Sequence, residues 1–182
     1  ELIMELKGSK TEANLWKAFA GESQARTKYS IFAEKARASG MRALAEVFTE
    51  TAENERAHAE IWLRLLRGGA IPENAANLAD AAEGEHFEWA KMYPEFAQKA
   101  REEGFDHIAY LFDQVAKIEQ WHEQRYAQWA NDLRGGLVFS KSGDTVWRCA
   151  NCGHISVGKS APQVCPVCGY PQAYFHCVPQ NQ

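Results

Sequence analysis

The sequence predicts an all-α bundle of four long helices followed by a small C-terminal β-rich metal domain. Three observations carry this. Four segments dominated by Ala, Glu, Lys, Arg and Gln fill the chain as far as Leu133, carboxylates and histidines recur on their apolar stripes, and all five cysteines lie between Cys149 and Cys177. A thiol-free stretch of that length can bury a core unaided, whereas about 45 residues usually need a disulfide or a metal. The expected division is therefore a helical domain over residues 1–136 and a metal domain over residues 137–182.

The helical segments run over Thr11–Ser39, Met41–Arg67, Leu78–Glu103 and Phe105–Leu133. Gly40 and Gly104 supply left-handed stops that permit abrupt reversal, so the first two and the last two helices each form an antiparallel hairpin. Gly68 to Asn77, with its Gly-Gly and Ile-Pro pairs, is the longer crossover. Two hairpins joined by one long crossover make the ferritin-like form of the four-helix bundle.

The hairpins also repeat each other. Phe32-Ala33-Glu34-Lys35-Ala36-Arg37 matches Phe96-Ala97-Gln98-Lys99-Ala100-Arg101 at an offset of 64, as do Gly40, Ala45, Phe48, Ala52, Glu55 and His58 with Gly104, Ala109, Phe112, Ala116, Glu119 and His122. Further upstream, Gly21-Glu22 matches Gly84-Glu85 at an offset of 63, so the third helix carries one extra residue between Glu85 and Tyr93. A helix commonly absorbs a single insertion as a π turn, a feature frequent at functional sites. Pro94 withdraws an amide donor beside it.

Polar residues occupy the wrong face of these helices. Glu22 falls on the stripe between Phe19 and Tyr29, Glu55 and His58 between Phe48 and Trp62, Glu85 and Glu88 ahead of Met92, and Glu119 and His122 between Val115 and Tyr126. Ionised carboxylates gathered in an apolar interior cost several kcal/mol each and repel one another, so a cation must stand among them. Arg26 could balance one of them; two divalent metal ions balance four. Glu55-Arg56-Ala57-His58 and Glu119-Gln120-Trp121-His122 are two Glu-x-x-His elements, whose spacing puts both side chains on one helical face, and Glu22 and Glu85 are the lone acids. One lone Glu from each of two helices and Glu-x-x-His from each of the other two is the ligand set of di-iron and di-manganese carboxylate proteins. A single Glu-x-x-His is common by chance; two in register within a repeat are not. Glu88 adds a fifth acid inside the insertion, and a more anionic ligand set favours the more oxidised metal.

In the tail, Cys149-Ala150-Asn151-Cys152-Gly153 and Cys165-Pro166-Val167-Cys168-Gly169 are two Cys-x-x-Cys knuckles separated by twelve residues. Glycine after each pair lets backbone amides turn toward the sulfurs, and the spacing fits tetrahedral thiolate ligation of iron or zinc. Beside a redox-capable metal pair, an electron-carrying Fe(Cys)4 centre is the better reading than a structural zinc ribbon. Cys177 has no partner in this scheme and is expected as a free thiol, while His154 and His176 pack or form hydrogen bonds.

A net charge of −4 gives no basic surface for a nucleic-acid partner. No apolar run reaches the roughly 18 residues of a membrane span, and Glu1 to Lys10 lacks the apolar centre of a secretion signal. The expected setting is soluble and cytoplasmic, where paired cysteines hold metal rather than form disulfides.

Over essentially its whole length the chain resembles the rubrerythrins. The resemblance is carried by Gly21-Glu22-Ser23-Gln24-Ala25-Arg26, Glu55 with His58, Gly84-Glu85-His86-Phe87-Glu88, Met92-Tyr93-Pro94, Glu119 with His122, and the paired cysteine knuckles; Cys177 and the polar end Pro179–Gln182 are not part of it. It implies a non-haem di-iron peroxidase that reduces hydrogen peroxide to water. The implied cofactors are an oxo- and carboxylate-bridged iron pair held by Glu22, Glu55, His58, Glu85, Glu88, Glu119 and His122, and one iron at Cys149, Cys152, Cys165 and Cys168. It also implies that Glu88 and His58 exchange at one iron between oxidation states, and that Tyr29 and Tyr93 donate hydrogen bonds to ligand carboxylates. The implied electron donor is a rubredoxin or an NAD(P)H-dependent reductase, and the implied assembly a homodimer. A rival reading, a ferroxidase or iron-handling protein with a zinc-bound docking tail, is disfavoured by the fifth acid and the thiolate centre.

Overall fold

The computed structural model describes residues 5–178; Pro179–Gln182 lies outside the described residues. The chain divides into two compact units, Glu1–Pro72 and Glu73–Gln182.

The first unit is a hairpin of α1 (Lys10–Ala38) and α2 (Arg42–Leu66). Ser9 caps α1 by accepting from the Glu12 amide at 3.0 Å, and the Glu12 carboxylate accepts from the Gly8 amide at 2.6 Å, so two otherwise orphaned donors are satisfied reciprocally. The helix ends in a left-handed glycine, Gly40 at φ 76°, and the Met41 amide reaches back to the Ala36 carbonyl at 2.9 Å. That closure reverses the chain and lays α2 against α1.

The second unit opens with α3 (Asn74–Phe87), which passes through a π turn (Glu88–Met92) into α4 (Tyr93–Glu102). The inserted residue is thus absorbed where the repeat changes register: the Tyr93 amide donates to the Glu88 carbonyl, the five-residue closure of a π turn. Gly104, at φ 83°, repeats the closure of the first hairpin, with the Phe105 amide 2.8 Å from the Ala100 carbonyl, and α5 (Asp106–Arg134) returns. The third helix begins at Asn74, four residues before the expected Leu78. Glu73 is the extended residue that launches it, and Ala75 and Ala76 are strong helix formers, so the crossover is shorter than its Gly-Gly and Ile-Pro content suggests.

Among the described residues every fully buried helix position is an alanine: Ala33, Ala36, Ala45, Ala52 and Ala59 in the first hairpin, Ala97, Ala100 and Ala109 in the second. Small side chains along the seam let two helices approach closely while larger residues flank the contact. The repeat extends to this seam, since Ala33, Ala36 and Ala45 stand 64 positions before Ala97, Ala100 and Ala109. It extends also to ring packing. Tyr29, Phe32 and Phe48 meet at 5.6–6.2 Å between centroids, and Tyr93, Phe96 and Phe112 at 5.7–6.4 Å.

Beyond α5 a three-stranded antiparallel sheet, in the order β2-β1-β3, is built from β1 (Ser140–Cys149), β2 (Ile155–Ser160) and β3 (Phe175–Val178). Its core is Trp147, Cys149, Ala161, Cys165 and Phe175, with Phe139 and Cys168 packed against it. The buried Trp147 indole N–H donates to the Gly158 carbonyl at 3.0 Å, which removes the cost of burying a polar group. No helix among the described residues is long and apolar enough to cross a membrane.

Candidate metal centres

Each hairpin by itself assembles a cluster of two glutamates and one histidine. In the first, Glu22 on α1 meets Glu55 and His58 on α2; in the second, Glu85 on α3 meets Glu119 and His122 on α5; within each cluster one ligand atom from every residue lies within 4.8 Å of the others. The internal distances agree closely. His58 Nδ1 is 2.9 Å from Glu55 Oε2 and 3.8 Å from Glu22 Oε1, while His122 Nδ1 is 2.6 Å from Glu119 Oε2 and 3.7 Å from Glu85 Oε2. Helical spacing of three residues accounts for the shorter distance of each pair, and the alanine seam, which brings the neighbouring helix close, for the longer.

These carboxylates are sheltered rather than solvated. Glu119 and Glu55 are only 14% and 18% exposed, against 69% for Glu46 on the outer face of α2. Burial, then a carboxyl–carboxyl hydrogen bond with Glu119 and the charge of Glu119, raise Glu85 above the ordinary carboxylate range, with His122 opposing. Glu88, the first residue of the π turn, stands outside the Glu85–Glu119–His122 cluster but within its field: burial and then the Glu119 charge raise it too. Sheltered acids brought this close together are acids that a cation would hold in their ionised form. Arg26 does not supply that cation, because its guanidinium lies 3.5 Å from Glu53 Oε1.

Burial, followed by the charges of Glu88, Glu119 and Glu85, keeps the Tyr93 phenol protonated and therefore able to donate. Tyr29, its counterpart in the repeat, packs its ring against Phe32 and Phe48.

Trp89 and Glu123, which have no place in the sequence reading, form a further cluster with His86. Trp89 Nε1–H donates to Glu123 Oε2, His86 Nδ1 lies 3.1 Å from Glu123 Oε1, and the His86 and Trp89 rings meet edge to face at 5.2 Å. For Trp89 and Glu123 the only signal in the sequence is position: they directly follow the expected ligands Glu88 and His122, as His86 follows Glu85.

The four knuckle cysteines also converge. Cys149 and Cys168 hold their sulfurs 3.8 Å apart, and Cys152 and Cys165 theirs 3.7 Å apart. A tetrahedron with metal–sulfur bonds of about 2.3 Å has edges of about 3.8 Å, whereas a disulfide needs about 2.05 Å. The cluster fits a tetrahedral ion. Its two turns are alike, the Gly153 amide donating to the Cys149 carbonyl and the Gly169 amide to the Cys165 carbonyl, both at 2.9 Å, with Gly153 at φ 79° and Gly169 at φ 73°. The Asn151 side chain and the Tyr170 amide hold the Cys168 thiol down at about 6. At Cys152 the His154 amide pulls the same way, but desolvation and the three neighbouring thiols outweigh it and push the group up to about 12. Four sulfurs this close cannot all ionise without a cation. Cys177 is a free, exposed thiol on β3, and His176 accepts from Arg148 Nε at 3.1 Å, as expected of residues outside the site.

Paired carboxylate–histidine clusters on helical hairpins and a four-thiolate knuckle define the class, a non-haem metalloprotein with a thiolate metal module. The rubrerythrin family model matches residues 13–130, and the model of the rubrerythrin rubredoxin-like domain matches residues 147–176. Rubrerythrin of Porphyromonas gingivalis is 44% identical, covering 100% of this chain and 96% of that protein; rubrerythrin of Nitratidesulfovibrio vulgaris is 42% identical, covering 98% and 100%. A solved structure of nigerythrin in a mixed-valence state shares 30% identity over 98% of this chain and 91% of that one, with a TM-score of 0.35. The chain belongs to the rubrerythrin family. Its fold class is the ferritin-like four-helix bundle with a small rubredoxin-like domain, and its cofactors are those of a redox-active family: a di-iron site with carboxylate and histidine ligands, and a four-cysteine site.

Proposed function

We propose that the protein is a peroxidase that reduces hydrogen peroxide to water, with electrons relayed to the iron pair through the Fe(Cys)4 centre. The observation that carries the reading is the pairing of two equivalent Glu-Glu-His clusters with a fifth acid, Glu88, on a π turn, in a chain that also builds a tetrahedral thiolate site. The proposed ligands of the iron pair are Glu22, Glu55, His58, Glu85, Glu88, Glu119 and His122, and those of the single iron Cys149, Cys152, Cys165 and Cys168. When bound, the irons supply the two electrons that cleavage of the O–O bond consumes, and two protons complete two waters.

The chain's own groups do the rest. The sheltered carboxylates of each hairpin would hold the irons, and their partial burial strengthens that attraction. Tyr93 Oη keeps its proton and offers a hydrogen bond to a ligand carboxylate, which orients it; Tyr29 has the same place in the repeat. Glu88 gives the site its extra negative charge, which suits the oxidised state, and the neutral imidazole of His58 suits the reduced one. The electron donor on this reading is a rubredoxin or an NAD(P)H-dependent reductase, the assembly a homodimer, and the setting the cytoplasm, which five unpaired cysteines favour. The domain limits are residues 1–136 and 137–182; the two family matches, 13–130 and 147–176, fall on either side of that line.

The deciding experiment mixes fully reduced, iron-loaded protein with one equivalent of hydrogen peroxide or of dioxygen in a stopped-flow instrument while following the thiolate-to-iron absorption. The expected result is rapid oxidation of that chromophore by peroxide with two waters formed, and a much slower response to dioxygen. A chromophore unmoved by peroxide over seconds, with dioxygen the faster oxidant, would replace this reading with ferroxidase chemistry.

A further inference from the structure

We infer that His86, Trp89 and Glu123 form a clamp whose task is to position Glu88. The inference rests on the reading of Glu88 as an iron ligand. Glu123, on α5, uses both carboxylate oxygens, one for Trp89 Nε1–H and one for His86 Nδ1. Its side chain is 27% exposed, and the His86 and Trp89 rings brace each other edge to face. Trp89 is the second residue of the π turn, immediately after Glu88. The clamp therefore fastens the irregular turn to the helix that carries Glu119 and His122.

Two features make this more than ordinary helix packing. First, the three residues follow Glu85, Glu88 and His122 by one position each, so they lie about 100° round their helices from the ligand face and tie together the backbones that present those ligands. Second, the first hairpin has no such device. At the same offsets that align the ligands, Ser23 stands for His86 and Ala59 for Glu123. The hairpin without a π turn lacks the clamp, and the hairpin with one has it. A π turn is a disfavoured way to run a helix, and it holds its place where neighbouring structure over-determines it. A hydrogen bond from an indole to a sheltered carboxylate is a strong tie of this kind. The three residues are positioning groups. They touch no reacting atom; they set where the Glu88 carboxylate stands.

The test compares Trp89→Phe, which removes the N–H and keeps the ring, with Glu123→Ala and Glu123→Gln in the full-length, iron-loaded chain. Amide hydrogen exchange across residues 88–92 should quicken about tenfold in Trp89→Phe and Glu123→Ala, the loss of one charge-assisted hydrogen bond, with α1 and α2 unaffected. Glu123→Gln still accepts from Trp89 and should recover most of the protection. The midpoint potential of the iron pair should rise in Trp89→Phe, in the same direction as in Glu88→Gln, because an anionic ligand that favours the oxidised state is presented less often; in the double variant the shifts should not add. Unchanged exchange in Trp89→Phe would overturn the clamp. Faster exchange with a potential that moves only in Glu88→Gln would overturn its role in positioning. A potential unmoved by Glu88→Gln itself would instead reject Glu88 as a ligand, so the two failures are distinguishable.

Discussion

Lys141 Nζ stands 2.5 Å from Asp132 Oδ2, joining the first strand of the tail to the last turns of α5. Both side chains are sheltered, at 24% and 14% exposed, and the second oxygen of Asp132 accepts from Gln128 at 2.9 Å. The Asp132 carbonyl also accepts from the Leu137 amide at 2.7 Å. One residue thus governs how the chain leaves the helix. Asp132→Ala should strand a partly buried ammonium, at a cost of about 2 kcal/mol, and speed limited proteolysis between Gly135 and Phe139 severalfold while the thiolate chromophore persists. A cleavage rate equal to that of the parent would show that the tail is held elsewhere.

The tail has a core of five buried residues, two of which are knuckle cysteines, so its stability is bound up with its metal. Cys165→Ser should lower metal content by about one ion per chain and leave residues 140–178 exchanging like unfolded peptide, with the helices intact. Red colour in the parent, absent from the variant, identifies the ion as ferric iron. A folded tail in the variant would show that the hydrophobic core suffices.

Glu85 and Glu88 give the metal-free protein a pH dependence of definite sign. Burial raises both, assisted at Glu85 by its hydrogen bond with Glu119 and at Glu88 by the Glu119 charge. A carboxyl raised on folding contributes stability while protonated; that contribution is present below the unfolded value and is lost as pH rises through the folded one. As pH rises above the ordinary carboxylate value the metal-free parent should therefore lose stability relative to a Glu85→Gln/Glu88→Gln variant, as measured by thermal unfolding. Iron loading should reverse the trend in the parent, because the metal displaces protons. Parallel curves for parent and variant would contradict the assignment.

Ala97, fully buried in the seam between α4 and α5, leaves no room for a larger side chain. Ala97→Leu should cost about 1–3 kcal/mol through overpacking, visible as a lower denaturant midpoint, and should widen the gap between Glu85 and His122 enough to weaken metal binding in that hairpin. Normal stability and full metal content would show that the seam is softer than its burial implies.

Much of this was legible in the sequence. The clustering of Glu22 with Glu55 and His58, and of Glu85 with Glu119 and His122, could be anticipated because helical period exposes a polar residue on an apolar stripe. The π turn was legible only through the repeat, where an offset of 63 becomes 64. The Trp89–Glu123 tie was not, since it joins residues 34 positions apart and depends on the angle through which the π turn rotates Trp89. The start of α3 was missed because Pro72 and the glycines before it suggest a longer loop than Glu73 and two alanines allow. Arg26 sat in the right register to neutralise an acid, yet it leans along α2 to Glu53, a choice set by side-chain reach that helical period does not encode.

The one-residue difference between the halves makes their chemistry unequal. The two hairpins share alanine seam, ring trio, glycine stop and carboxylate–histidine triad. A single extra residue breaks that equivalence: the second hairpin absorbs it as a π turn at Glu88 and Trp89, and Glu123 anchors that turn where the first hairpin has Ala59. Two halves of one plan thus present unequal sets of groups, a triad alone in one and a triad with an extra acid beside it in the other.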